Sequence, residues 1–331
     1  MPDNYERKQD LLLRLGRLYQ QKGDYAQAES FFRQLIEFEE QRNFPLQIGN
    51  ARRQLGNLFL AKGDYRQAAE TFQQAKDWLE KIGKSPSLAR LMRDWHKLHL
   101  ATGQVEAAID AQKQAVEITE SNLSRLLVSG LEREKLKLLD LAQAETFEAL
   151  TLHAKYAPHS DSALRLAFTT WLQRKGRLLD EMNQTVGLLR GRLSEELAPL
   201  FNDLLNKQSQ LAGLAISLHD EKDIASQVAQ FTQDIAQLQR TLSTRSKTFR
   251  VQTQPVTLEA VQTALPDQTA LLDFARVEPV DEQTKGPQSA RYFVYILLPK
   301  SQPRWIDLCE ANEIERLVAA WRSSLDPLDQ A

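Results

Sequence analysis

Cysteine and histidine are the side chains with the clearest capacity for nucleophilic or metal chemistry, and this chain has few of either. Cys309 is the only cysteine, and a cysteine nucleophile needs a neighbouring base that activates its thiolate. No histidine follows His219, so the C-terminal segment offers Cys309 no imidazole. We therefore predict no catalytic residue, and we expect that the chain alone is not an enzyme. A single cysteine also excludes an intrachain disulfide, which suits a reducing cytoplasm.

Two histidines have a spacing that could hold a metal ion. His96 and His99 lie three positions apart on a predicted helix, and a zinc site would need further ligands from nearby. The sequence around them provides no third ligand. We interpret the pair as packing residues and expect neither a metal nor another cofactor.

A set of basic and amide side chains could bind an anion. They lie on predicted helices, at positions that do not face the helical core, and arginine binds carboxylates through paired hydrogen bonds. An acidic or C-terminal peptide is the expected ligand. The alternative is that they are solvated side chains that keep the helices soluble. The candidates are Arg14, Arg17, Gln21, Arg52, Arg53, Asn57, Arg93 and Lys97.

Composition argues against nucleic acid and membrane as partners. The formal net charge over 331 residues is −2, and the basic run at 174–177 is too short for a nucleic-acid-binding stripe. The N-terminus is polar and lacks the apolar core of a signal peptide. The most apolar stretch, Tyr292 to Leu298, is too short to span a bilayer. We therefore expect a cytoplasmic protein.

A repeat of 40 residues organises the first 120 residues. The tripeptide Gly-Asp-Tyr at 23–25 returns at 63–65, and a weaker third copy keeps Gly103 at the same offset. Apolar residues on both sides of the tripeptide recur at helical spacing, while glycine and aspartate favour a turn. This period predicts a solenoid of helical hairpins, an architecture that provides extended binding surfaces.

The hairpins resemble tetratricopeptide repeats (TPRs). Small and aromatic residues recur in that family's order: Gly16, Tyr19, Ala28 and Phe32, then Gly56, Phe59, Ala68 and Phe72. The usual repeat has about 34 residues, so a period of 40 implies longer helices or loops. His96 replaces the glycine in the third copy, which suits a terminal repeat. The resemblance implies a protein or peptide partner in the inner groove of residues 10–115.

Long helices are expected over residues 121–255. Ser160 or Asp161 is a plausible N-cap for a helix over 163–189. Two further helices, over about 195–218 and 223–250, have leucines near heptad spacing. Such a pair predicts an antiparallel hairpin like a coiled coil.

The last segment, residues 256–331, has a different character. A short helix at 256–262 with Thr257 as its cap precedes predicted strands at 270–277, 291–298 and 303–308, and a helix follows at 311–325. The second strand is apolar on both faces, so we expect helices to cover both sides of its sheet. The predicted fold class is mainly α: a TPR-like α-solenoid over 1–120, long helical hairpins, and a small incomplete α/β segment of about three strands.

Four C-terminal motifs extend the resemblance to the bacterial TPR–CHAT proteins, in which a caspase-like domain follows the repeats. They are Leu172–Asp180, Leu265–Phe274, Tyr292–Pro299 and Trp305–Leu308. The resemblance implies a sheet that continues past the segment matched by Ile314–Leu325 and holds the catalytic His and Cys in that continuation. Cys309 stands where the family usually has glycine, and the chain ends at Ala331. No catalytic residue therefore transfers to this sequence.

Two main functions follow from these patterns. The first is an interaction module that binds a peptide or protein through its TPRs and has a CHAT segment without catalytic residues. The alternative is the regulatory N-terminal part of a caspase-like cysteine peptidase whose catalytic half is missing from this chain. In that case a separate CHAT catalytic piece is a possible partner. A structural coiled-coil scaffold is a third hypothesis for the function.

Overall fold

The computed structural model describes residues 3–129, 132–182, 196–214, 221–246, 256–278 and 289–325. The chain forms two compact units, one of residues 1–142 and 184–253, the other of residues 143–183 and 254–331. The units therefore interleave along the sequence, whereas the three predicted segments are consecutive.

Three helical hairpins open the first unit. Their helices are α1 (Asp3–Gln21), α2 (Tyr25–Glu40), α3 (Pro45–Lys62), α4 (Tyr65–Glu80), α5 (Pro86–Ala101) and α6 (Val105–Ser129). The repeated tripeptide makes the turn inside the hairpin. Gly63 ends α3 with a φ of 80°, a left-handed conformation that glycine adopts without strain. Asp64 then caps α4, because its side chain accepts from the Gln67 amide at 3.1 Å.

Small residues let the two helices of a hairpin pack closely. A Cβ added to Gly56 would lie 2.4 Å from Cδ1 of Phe72, and one added to Gly16 would lie 2.5 Å from Cε1 of Phe32. Both phenylalanines are fully buried. The predicted order of small and aromatic residues thus corresponds to a close contact inside the first and the second hairpin.

Longer helices complete the first unit. α7 (Glu132–Thr151) continues into a π-helical turn at Leu152–Tyr156, and α7 belongs to this unit only up to Ala142. α9 (Ala198–Leu214) and α10 (Glu221–Arg245) form the expected hairpin around a core that includes Phe201, Ile235 and Leu242. The predicted extensions over 183–189, 215–218 and 247–250 lie outside the described residues.

The second unit packs helices against one face of a small sheet. α8 (Asp161–Met182) is followed by α11 (Leu258–Ala264), β1 (Leu271–Val277), β2 (Arg291–Leu297), β3 (Arg304–Glu310) and α12 (Ala311–Leu325). The strands are antiparallel in the order β1-β2-β3. Ser160 and Thr257 are the caps of α8 and α11, as predicted, since their hydroxyls accept from Ala163 N and Ala260 N.

Helices cover one face of this sheet, and α12 reaches one end of the opposite face, where Glu315 accepts from Arg276 and Tyr292. Phe293, Tyr295 and Leu297 are buried against helical residues such as Phe168. On the opposite face, the side chains of Leu272, Phe274 and Ile306 are each more than half exposed. The expected cover by helices on both sides is therefore only partial on the second face of the described sheet, since an antiparallel sheet can leave part of one face open.

None of the described helices is both long and apolar enough to cross a membrane.

Candidate functional site

A groove of about 310 Å³ opens between the first helices of the hairpins. Its floor comes from buried residues of α2 and α3, and mostly polar side chains from α1, α3 and α5 surround it. The floor residues are Leu35, Glu39 and Ala51. The surrounding residues are Gln9, Leu13, Arg17, Gln47, Asn50, Arg53, Gln54 and Arg90.

A chain of hydrogen bonds links α1, α3 and α5 at this groove. Oε1 of Gln54, oriented to satisfy both guanidinium groups, accepts from Nη2 of Arg53 at 3.0 Å and from Nη2 of Arg17 at 3.1 Å. Nη1 of Arg53 donates to Oδ2 of Asp94 at 2.7 Å. Nδ2 of Asn57 donates to the same oxygen at 2.9 Å. One amide and one carboxylate thus hold the arginines in fixed positions.

The two guanidinium groups make the groove attractive to anions. Burial and the neighbouring charge of Arg53 lower the pKa of Arg17 from its usual range, although an arginine stays charged at any physiological pH. Asp94 offsets the charge of Arg53, whereas Arg17 receives only the neutral oxygen of Gln54 in this network. A carboxylate placed beside Arg17 would relieve the repulsion between the two cations.

The structure brings three of the eight candidates together: Arg17, Arg53 and Asn57. Arg93 and Lys97 lie on α5 and are partly buried. Arg14 is exposed and forms an ion pair of 2.7 Å with Asp10, one turn earlier on α1.

Gln21 and Arg52 complete the candidate set, and neither lines the groove. Gln21 is exposed at the last residue of α1. Arg52 lines a second depression, formed by α2, α3 and α4, where it donates to Glu40 and Gln74. Leu12 and Met92 occupy the same repeat position as Arg52, 40 residues before and after it, and both are buried core residues. This repeat position therefore faces the helical core and not the groove.

Most residues of the groove were not identified from the sequence, among them Gln54 and Glu39, and neither was Asp94, which pairs with Arg53 beside it. Gln54 and Asp94 occupy the same repeat position as Arg14, since 14, 54 and 94 differ by the period of 40. Glu39 stands where the second hairpin has Leu79. A comparison of the copies position by position would have singled out these polar departures.

The histidines of α5 make helix contacts. Nδ1 of His96 lies 3.0 Å from the carbonyl oxygen of Ala108, and His99 stacks on Trp95 and lies 2.9 Å from Oε1 of Gln104. No group of metal-ligating side chains is found in the described part of the chain.

Cys309 has surroundings that disfavour its thiolate. It lies on β3, where desolvation and the nearby carboxylate of Glu313 raise the pKa of its thiol. A reactive cysteine needs the opposite shift.

Comparison with known proteins agrees with the geometry of the hairpins. A tetratricopeptide repeat family model matches residues 9–42, and a second one matches residues 47–121. The three hairpins are therefore tetratricopeptide repeats, and the third copy is included despite its histidines. No curated protein matches the chain.

Proposed function

We propose that the chain is a protein-interaction module whose TPR groove binds an extended segment of a partner protein. The observation behind this proposal is the groove between the first helices of consecutive hairpins, with a buried floor and a polar rim. A rim of this kind offers hydrogen-bond donors and acceptors to the backbone and side chains of a bound peptide.

The ligand that best fits the rim contains a carboxylate, either an acidic side chain or a chain terminus. Arg17 and Arg53 lie side by side, and Gln54 and Asp94 hold them in place before any ligand arrives. Because the donors are already ordered, binding costs little side-chain entropy. Arg93 and Lys97 of the third hairpin would extend the basic surface along the array.

Selection from a library of randomised ten-residue peptides on the full chain tests this function. Peptides selected by the wild type are then measured against Arg17→Glu, which reverses a rim charge. Arg33→Glu is the matched control. It changes the net charge by the same amount, but Arg33 lines the second depression. We expect at least a tenfold loss of affinity for Arg17→Glu and less than a twofold change for the control. Equal losses, or no selected peptide, would reject the groove as the binding site.

A second candidate function is the regulatory N-terminal part of a caspase-like cysteine peptidase of the TPR–CHAT type. The open sheet face favours it, since Phe274 is 54% exposed and Trp321 on α12 is 62% exposed. Large exposed apolar residues of this kind mark surfaces that another segment or protein covers. In this function a separate CHAT catalytic piece, or a longer gene product, would supply the Cys–His pair.

An electrophilic active-site probe on the protein from its native source separates the two functions. A peptidase would be labelled at a cysteine outside this sequence, on a heavier chain or on a chain that purifies with it. Labelling only at Cys309, at the rate of an ordinary thiol, would reject the peptidase and leave the interaction module as the function.

We also propose a cytoplasmic location, a bacterial source and no nucleic-acid partner. The single cysteine and the net charge of −2 support the first and third, and the source rests on the resemblance to TPR–CHAT proteins. The division into TPR-like repeats (1–120), a long helical region (121–255) and the truncated start of a CHAT-like α/β domain (256–331) is likewise a proposal.

A further inference from the structure

Glu39 is a buried acid at a position where the repeat needs an apolar residue. The equivalent residue of the second hairpin, 40 positions later, is Leu79, which is fully buried and packs so closely on Gly49 that a Cβ there would lie 2.6 Å from Leu79 Cγ. Glu39 is also 0% exposed. The packing of a hairpin therefore does not require a carboxylate here, and burying one is unfavourable.

Only one oxygen of this carboxylate is satisfied. Oε2 of Glu39 accepts from the hydroxyl of Tyr5, while Oε1 has no hydrogen-bond partner among the described residues. Tyr5 is itself held in place, stacked on Phe38 with 5.1 Å between ring centroids and covered by the guanidinium of Arg42 at 3.9 Å. The carboxylate is thus fixed by its neighbours, yet it has an unused acceptor.

Glu39 is one of the residues that line the groove whose rim holds Arg17 and Arg53. A buried acceptor without a partner costs stability, and a ligand that donates to it removes that cost. The groove therefore combines a buried carboxyl acceptor in its floor with a positive site on its rim.

We infer that the groove recognises a peptide segment with two opposite charges close together. Its lysine or arginine side chain donates to Oε1 of Glu39, and its carboxylate binds beside Arg17 and Arg53. This inference rests on the proposed function, since it specifies which peptide the TPR groove selects. A purely acidic peptide would satisfy the rim and leave the floor unpaired, so it would bind more weakly than a segment with both charges.

The same randomised ten-residue library tests the inference on three full-length variants. Glu39→Gln keeps the size of the side chain and removes its charge. Glu39→Leu restores the residue of the second hairpin, so it provides a variant that the repeat already accommodates. Glu40→Gln is the matched control, because Glu40 is the adjacent acid and lines the second depression with Arg52.

The readout is the frequency of Lys or Arg next to Asp or Glu in the selected peptides. We expect at least a threefold enrichment over the unselected library for the wild type and for Glu40→Gln, and none for Glu39→Gln or Glu39→Leu. Selected peptides that are acidic without any basic preference, or an enrichment unchanged in both Glu39 variants, would overturn this inference and leave the proposed function standing. A wild type that selects no peptide would overturn both.

Discussion

At the scale of single residues, buried polar groups set much of the energetics of this protein. Asp94 accepts from Arg53 and Asn57 at one oxygen and so joins the second and third hairpins. His153 is fully buried in the second unit, where its ring packs against Trp305 with 4.6 Å between centroids. Both side chains are largely buried, so their effects are read best from stability.

Replacement of Asp94 by alanine should destabilise the repeats. It leaves the mostly buried guanidinium of Arg53 without its carboxylate, and hydrogen bonds between charged groups contribute about 2 kcal/mol. We expect a loss of this size in the free energy of unfolding, measured in urea. Asp77→Ala is the control, because Asp77 is exposed on α4 and accepts a hydrogen bond from the neutral amide of Gln73. A loss for Asp94→Ala no larger than the control would contradict the network.

The buried His153 should make the stability of the second unit depend on pH. Burial lowers the pKa of His153 from 6.5 to about 4. Between these values the unfolded chain binds a proton that the folded chain excludes, so stability is complete above pH 6.5 and falls as the pH falls towards 4. The cost is about 1.4 kcal/mol per pH unit, or about 2 kcal/mol at pH 5.

His153→Leu provides the comparison for this pH dependence. The variant lacks the titrating group, so the difference in unfolding free energy between wild type and variant should shift in favour of the variant as the pH falls from 7 to 5. Urea denaturation at the two pH values measures it. A difference that does not change with pH would show that the imidazole is protonated in the folded protein as readily as in the unfolded chain.

At the scale of elements, the first and the second hairpin each depend on a glycine in the first helix that faces a phenylalanine in the second. Gly56→Ala should cost about 2 kcal/mol, because the added methyl would overlap Phe72 and overpacking of a core costs about 1–3 kcal/mol. The double variant Gly56→Ala/Phe72→Leu should recover part of that loss, as measured in a double-mutant cycle. If the two single losses simply add, the methyl group added at position 56 and the ring of Phe72 are not in contact.

The elements were more predictable than their contacts. The period of 40, the capping residues and the apolar spacing predicted the hairpins and the three strands, because these signals are local. The partners of Arg53 and Arg52 could not be predicted in the same way, since these adjacent residues point to different depressions according to their register on α3. The composition of the strands also could not predict which faces of the sheet are covered, because this depends on which helices pack against it.

At the scale of the whole molecule, the TPR region and the sheet unit offer two different surfaces. The first has a polar groove with fixed arginines and a buried acid, which suits a charged peptide segment. The second has an apolar face of Leu272, Phe274 and Ile306, which suits a partner or segment that stays bound. We propose the groove as the surface for a transient protein partner, because its rim has charged arginines.

Site-specific photo-crosslinking to a selected peptide tests the central claim most directly. A benzophenone amino acid is placed at Asn50, inside the groove, or at Gln74, inside the second depression, and the peptide is added to each full-length protein. The account predicts a covalent adduct from position 50 and none above background from position 74. An adduct from position 74 alone would place the peptide outside the TPR groove and contradict the account.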